Sequence, residues 1–287
     1  MTLDDEFGLQ EVDYKVHYDQ FAAPYADNPN PANVLFFENQ AKEMHVLGVS
    51  HALDRLTTDA LLIATGVKLT TQADHFLRYG VMRRLRLMQS AFRAFRRTIP
   101  PDRTAPLSLQ QSDDTARDLN AIYINIIGIL DNYAWLLVHQ VATQTTRSAK
   151  KTAIGLFKPA LRKDEILSAR LAPLEAFEPW EADVKKRRNP AAHRMPLYVP
   201  PTALTPEQLR EFEHFEALIS TALREQKFDK MAELRDAQRR LGTLIPYFLH
   251  DPEEDKMPIF PTLPQDIGQM ILIGRLVQTL IRDAAVS

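Results

Sequence analysis

Residues 121–141, AIYINIIGILDNYAWLLVHQV, decide the fold. From Ile122 to Val141 the stretch is apolar nearly all round, and a helix of that kind has to be enclosed by other helices rather than laid on a surface. It predicts the central helix of a bundle, starting near Asp113, where the Asp113 and Asp114 carboxylates complement a helix N-terminus, and running to about Thr145. Asn125, Asn132 and His139 interrupt the apolar surface at intervals of seven, along one line. Buried polar groups need partners. The line therefore reads as an interhelical hydrogen-bond ladder, as a strip turned to solvent, or as the polar wall of a functional cleft.

The sequence on either side supports an all-α protein, a bundle of long antiparallel helices with a C-terminal helical extension. Glycine is scarce, and apolar residues recur at three and four rather than two. Residues 1–33 are polar and end in NPNPAN, which predicts an extended arm docked by Tyr14, Tyr18, Phe21 and Tyr25. Residues 34–200 read as the bundle and 201–287 as the extension, packed on the same domain. A first helix is expected over Val34–Ala64 with Gly66 as its stop, and a second over Gln72–Thr98, closed by Pro100 and Pro101. On the second, Val81, Leu85, Met88, Phe92, Phe95 and Ile99 share one side. Arg83, Arg86, Arg93 and Arg97 fall opposite, as a solvated charged face or a phosphate-tracking stripe. A fourth helix should run from Asp164 or Glu165 towards residue 188, broken or kinked at Pro173 and Pro179. Thr205-Pro206 with Gln208 marks a further start, with a break near Gln226 and an end at Gly242, and a last helix is expected over Gln265–Asp283.

Composition narrows the chemistry. The absence of cysteine removes disulfides, thiolate metal sites and cysteine nucleophiles. A net charge of −2 argues against binding nucleic acid by bulk positive charge, so such binding needs a local basic patch. His45 and His51 are six apart and face opposite ways, and no phosphate loop, dinucleotide fingerprint or nucleophile elbow occurs. No metal or cofactor is implied. The first residues lack the pattern of a signal peptide and no apolar run is read as a membrane span, so the expected location is cytoplasmic with no membrane partner.

The stretch KKRRNPAAHR, residues 185–194, is different in kind. Locally, Pro190 should push Asn189 out of helical geometry, making Asn189 the cap of a new short turn that brings Arg188 and His193 together. Chemically, Arg and His are what metal-independent phosphodiester cleavage requires. The guanidinium holds phosphate oxygens in pairs and stabilises the added negative charge. The imidazole takes a proton from a ribose 2′-hydroxyl or gives one to the leaving 5′-oxygen.

Arg188-Asn189-x-x-x-His193 resembles the Arg-x4–6-His motif of the HEPN superfamily, whose members are all-α bundles and many of which are metal-independent endoribonucleases. Pro190 within the motif and the RMPLYVPP that follows make this look like a divergent branch. The resemblance implies Arg188 as phosphate binder, His193 as acid and base, and Asn189 as polar accessory. It implies a homodimer that supplies the second His across one cleft, with RNA as substrate. It also implies 2′-hydroxyl attack giving a 2′,3′-cyclic phosphate, and a toxin or phage-defence role with a possible antitoxin or defence-system partner. Lys185, Lys186, Arg187 and Arg194, with the Arg83, Arg86, Arg93, Arg97 stripe, are the candidate nucleic-acid contacts. The alternatives are a non-catalytic nucleic-acid or nucleotide binder and a helical protein-interaction module using PLYVPP and the last helix.

Overall fold

A computed structural model describes the backbone of residues 9–253 and 255–286, and the side chains of these apart from residues 9, 10, 191–193, 285 and 286. The protein is all-α, with one two-residue antiparallel ladder, β1 (Tyr247–Phe248) on β2 (Met257–Pro258). The expected extended arm is helical instead over its described part. α1 (Leu9–Val12) leads into α2 (Tyr14–Phe21), whose cap Asp13 accepts from the backbone N–H of Lys15. α3 (Pro31–Gly66) starts at the Asn30 cap with Pro31 in its first turn and ends where the glycine predicts.

α4 spans 71–98, and its apolar side is as expected: Val81, Leu85, Met88, Phe92, Phe95 and Ile99 are all buried. Within it, Phe76–Met82 is wound as a π-helix. Buried Ala73, Leu77, Val81 and Leu85 follow one another at intervals of four, which would drift around an ordinary α-helix. A wider turn keeps them on the core side.

α5 (Leu109–Gln140) is the central helix, but it starts four residues before Asp113. The Ser108 hydroxyl accepts from the Gln111 N–H, and the Gln111 side chain accepts from the Ser108 N–H. That reciprocal box satisfies the terminal donors directly, which the two aspartates a turn later do not. By length and composition α5 is a helix that could cross a membrane, contrary to the expectation that no run qualifies, but 67% of its apolar window is buried inside the protein. It is closed in by α4 and by α9 (Ile259–Val286), on which Ile267, Met270, Ile271, Ile273, Val277 and Ile281 are fully buried. The last helix is thus packed into the same core.

Between α5 and α6 (Glu178–His193) the chain is broken into short turns, with Pro173 and Pro179 each in the first turn of a new segment. Buried Asp164 holds this region: its carboxylate accepts from the N–H and hydroxyl of Thr143 and from the N–H groups of Ile166 and Leu167. α7 (Pro206–Arg224) and α8 (Phe228–Gln238) form a largely exposed hairpin broken at Gln226, where φ is 56°. PLYVPP is packed into the fold. Leu197 and Val199 are fully buried, Tyr198 bridges to Leu249, and Asn120 exchanges hydrogen bonds with the Leu197 backbone.

His45 pins the N-terminal helices to α3. Its ring is buried, Nε2–H donates to the Val12 carbonyl at 2.9 Å, and Nδ1 finds no partner among the described residues. Burial lowers its pKa to about 4. The unfolded ring titrates near 6.5, so between those values the unfolded chain holds more protons, and stability falls as pH drops from about 6.5 towards 4. The expected loss from this group is about 2 kcal/mol by about pH 5. Denaturant melts at neutral and mildly acidic pH should therefore show a steeper loss for wild type than for His45→Gln, which keeps a donor for Val12 without a titrating ring. Equal slopes would contradict the assignment.

Candidate functional site

The basic run of residues 185–188 is sorted by α6 into four different environments. Lys185 pairs with Glu181 one turn back, and exposed Lys186 pairs with Asp183 at 2.8 Å. Arg187 turns inward. Its Nη1 donates to both oxygens of Asp266 at 3.0 and 2.8 Å, and the same carboxylate accepts from Trp180 Nε1 and Tyr123 Oη at 3.0 and 2.8 Å. Burial pushes the Asp266 carboxyl above its ordinary range, while the Arg187 charge and the three donor groups pull it back. Burial likewise drives the Tyr123 phenol well up, so it remains a donor. Arg187 is therefore committed to Asp266 within the fold.

Arg188, one residue on, is rotated by about 100° and faces a separate cleft of about 370 Å³. Among the described residues its Nη1 reaches only the neighbouring Asn189 Oδ1, at 3.3 Å. Its Nε–H is buried without an acceptor, and among the described residues no carboxylate pairs with it. The cleft lies between α5, α6 and the loop at 155–158. Asn189, Lys185 and Lys158 line it with Arg188, and Asp131 and Glu181 supply the opposing charge. Lys158 was not singled out in the sequence. Its only signal is membership of the basic loop after α5, and nothing local says that the loop folds back beside residue 188.

The expected restart at Asn189 does not occur. α6 runs through Pro190 without a break and ends at His193. Proline cannot bond to the Lys186 carbonyl, and helical geometry is disfavoured just before it. The anchoring of Trp180 and Arg187 on Asp266, with Val184 fully buried, overrides that local preference. The consequence is geometric. Residues 188 and 193 are five apart on one helix, about 140° around and about 7.5 Å along it, so no turn folds them together. The His193 side chain lies outside the described residues. Arg194 is exposed just past the helix end.

The polar line of α5 is taken up by its contact with α4. Asn125 Oδ1 accepts from Arg84 Nη1 at 3.2 Å, and His139 stacks on Phe76 and Trp135. Asn132 lies against Gly80, where a Cβ would come within 2.1 Å of Oδ1, and a Cβ at Gly128 would come within 2.5 Å of the Arg84 guanidinium. Glycine at both positions is what lets the two helices interlock. Asn125, Asn132 and His139 thus all lie against α4, but among the described residues only Asn125 is hydrogen-bonded across to it, whereas Asn132 donates to the Gly128 carbonyl of its own helix and His139 packs by stacking. Burial and the nearby Arg147 charge lower the His139 pKa, in keeping with a neutral stacked ring. Arg83, Arg86, Arg93 and Arg97 are all exposed on α4, as their periodicity predicts.

The adjacent arginines should respond oppositely to substitution. Asp266→Ala leaves Arg187 uncompensated and should cost about 3–5 kcal/mol in urea unfolding, whereas Arg188→Ala should cost less than about 1 kcal/mol. Comparable losses would show that Arg188 is a packing residue. No family model, curated protein or solved structure matches the chain at a significant level.

Proposed function

We propose that the protein is a metal-independent endoribonuclease of the HEPN kind, with its reacting phosphate bound at Arg188. One observation carries the reading. Of the four consecutive cations at 185–188, three are committed to carboxylates, and among the described residues Arg188 alone has no carboxylate partner while it faces a cleft with its Nε–H buried and without an acceptor. A phosphodiester supplies what that group lacks, two oxygens able to accept from a planar guanidinium.

In this scheme Arg188 holds the scissile phosphate and Asn189 contacts the ribose or an imidazole. His193 takes the proton from the 2′-hydroxyl. The O2′–P bond forms as the P–O5′ bond breaks, giving a 2′,3′-cyclic phosphate and a 5′-hydroxyl. The leaving oxygen needs a proton from a second group, which His193 of a second copy would supply across a two-fold axis. The continuous α6 suits that division, because Arg188 and His193 sit on different sides of the helix and a composite site does not require them to meet within one chain.

Wild type, Arg188→Ala and His193→Ala should be incubated with RNA in the presence of a chelator, and the product ends identified. Wild type is expected to leave cyclic-phosphate ends, and each variant to lose about 10²–10³-fold in rate. Cleavage that persists equally in all three identifies a contaminating nuclease and sinks the reading. RNA binding weakened by Arg188→Ala but not by His193→Ala, with no cleavage, replaces it with a non-catalytic binder.

A further inference from the structure

α4 carries a second array of cations, remote in construction from the Arg188 cleft. Tyr79, Arg83, Arg86, Ser90, Arg93 and Arg97 follow one another at intervals of four and three, so they form one stripe, and all six are exposed. From Arg83 to Arg97 the stripe extends about 21 Å. The same helix turns Arg84 towards α5, whereas the stripe borders a groove of about 580 Å³ between α3 and α4.

The charges in this groove are only partly compensated. Arg93 bonds to Asp54 at 2.9 Å, and Arg96, which joins the stripe from its flank, reaches Ser50 Oγ at 3.4 Å and Glu43 at 3.9 Å. Among the described residues no carboxylate pairs with Arg83, Arg86 or Arg97. Four arginines thus border a groove into which a single carboxylate, Asp54, projects, in a chain whose net charge is −2. Such a concentration of one sign in a concave site attracts a polyanion against the sign of the whole molecule. Its length suits a chain of phosphates better than a single phosphate group. Gln89, Ser50 and Ser90 add neutral hydrogen-bonding groups beside the cations.

One end of the stripe is aromatic. Tyr79 is 53% exposed, Arg83 lies over its ring at 4.7 Å, and the His75 ring is 5.1 Å away. A solvent-facing aromatic with a stacked guanidinium is a platform for an unpaired base, which a duplex, with its bases already stacked, cannot use. An arginine groove that tracks phosphates and ends in a stacking platform is how single strands are held without sequence readout.

We propose that the Tyr79–Arg97 face of α4 is a single-stranded RNA-binding surface, separate from the Arg188 cleft, that holds the strand by its phosphates in the α3–α4 groove and by a base on Tyr79 and Arg83. The choice of RNA rests on the reading of the Arg188 site, whereas the phosphate and base contacts do not.

The test is fluorescence anisotropy with a labelled, unstructured 2′-O-methyl oligoribonucleotide, which has no 2′-hydroxyl to attack and so reports binding without cleavage. The Arg86→Ala/Arg93→Ala/Arg97→Ala variant should bind at least about tenfold more weakly, and the slope of log affinity against log salt should flatten by about 2. Tyr79→Ala should weaken the single strand about fivefold or more and leave a duplex unaffected. All four positions are exposed, and circular dichroism on each variant checks that it folds. The proposal is overturned if the triple variant binds like wild type, if Tyr79→Ala affects strand and duplex alike, or if a DNA strand is preferred to RNA. If RNA is cleaved while the triple variant keeps its KM, this surface fails and the nuclease reading stands. If the strand binds through the stripe but no cyclic-phosphate ends form, the nuclease reading fails and the binding surface stands.

Discussion

One buried carboxylate orders the part of the molecule that carries its chemistry. Asp266, on α9, accepts from Tyr123 of α5 and from Trp180 and Arg187 of α6, so three helices are tied at one point. A charge in that position is tolerated only when fully paired and hydrogen-bonded, and removing one partner is far more costly than never having had the pair. The pairing is also directional. With Arg187 and Trp180 both held on Asp266, the rotation of α6 about its axis is fixed. The direction of Arg188 follows from it, because the next residue on a helix points about 100° away. The cleft residue is placed by its neighbour's ion pair rather than by contacts of its own.

The same constraint explains how α6 runs through Pro190. Locally the proline argues for a break, since it removes a hydrogen bond to Lys186 and disfavours helical geometry at Asn189, effects worth about 3 kcal/mol in a helix interior. Here the proline falls in the last turn, three residues before the end, while Trp180, Val184 and Arg187 hold the preceding two turns against the core. The penalty is thus met near the end of the helix, where the fewest bonds remain to be lost.

What could be read from the sequence divides along this line between local and distant causes. The enclosed character of α5, the apolar side of α4 and the Thr205 start of α7 depend on residues within a few turns of one another, and all three are found as expected. The Ser108–Gln111 box was equally local, but the Asp113–Asp114 pair drew the expected start four residues too late. The π-helical turn was present as the four-residue spacing of Ala73, Leu77, Val81 and Leu85, a pattern that also passes for a loose α-helix. Nothing local distinguishes Arg187 from Arg188. The difference is made by an aspartate 79 residues further along the chain. The fate of Asn125, Asn132 and His139 likewise depended on what faced them, namely Arg84, Gly80 and Phe76 on another helix.

For a chain with nearly balanced charge, the informative quantity is not how many cations it has but which of them the fold leaves uncommitted. An exposed arginine paired with a carboxylate presents a small net charge and contributes little to binding a polyanion, because any phosphate must displace the partner first. By that measure the run at 185–188, the densest basic cluster of the sequence, contributes a single available guanidinium. The sparser α4 stripe contributes Arg83, Arg86 and Arg97. A lone guanidinium in a narrow cleft suits one phosphate held in a fixed position, as chemistry at phosphorus requires. A spaced row along a groove suits many phosphates held loosely and in any register. The two arrangements answer different physical demands, orientation and retention. A strand-cleaving enzyme needs both, and they need not be built from the same residues.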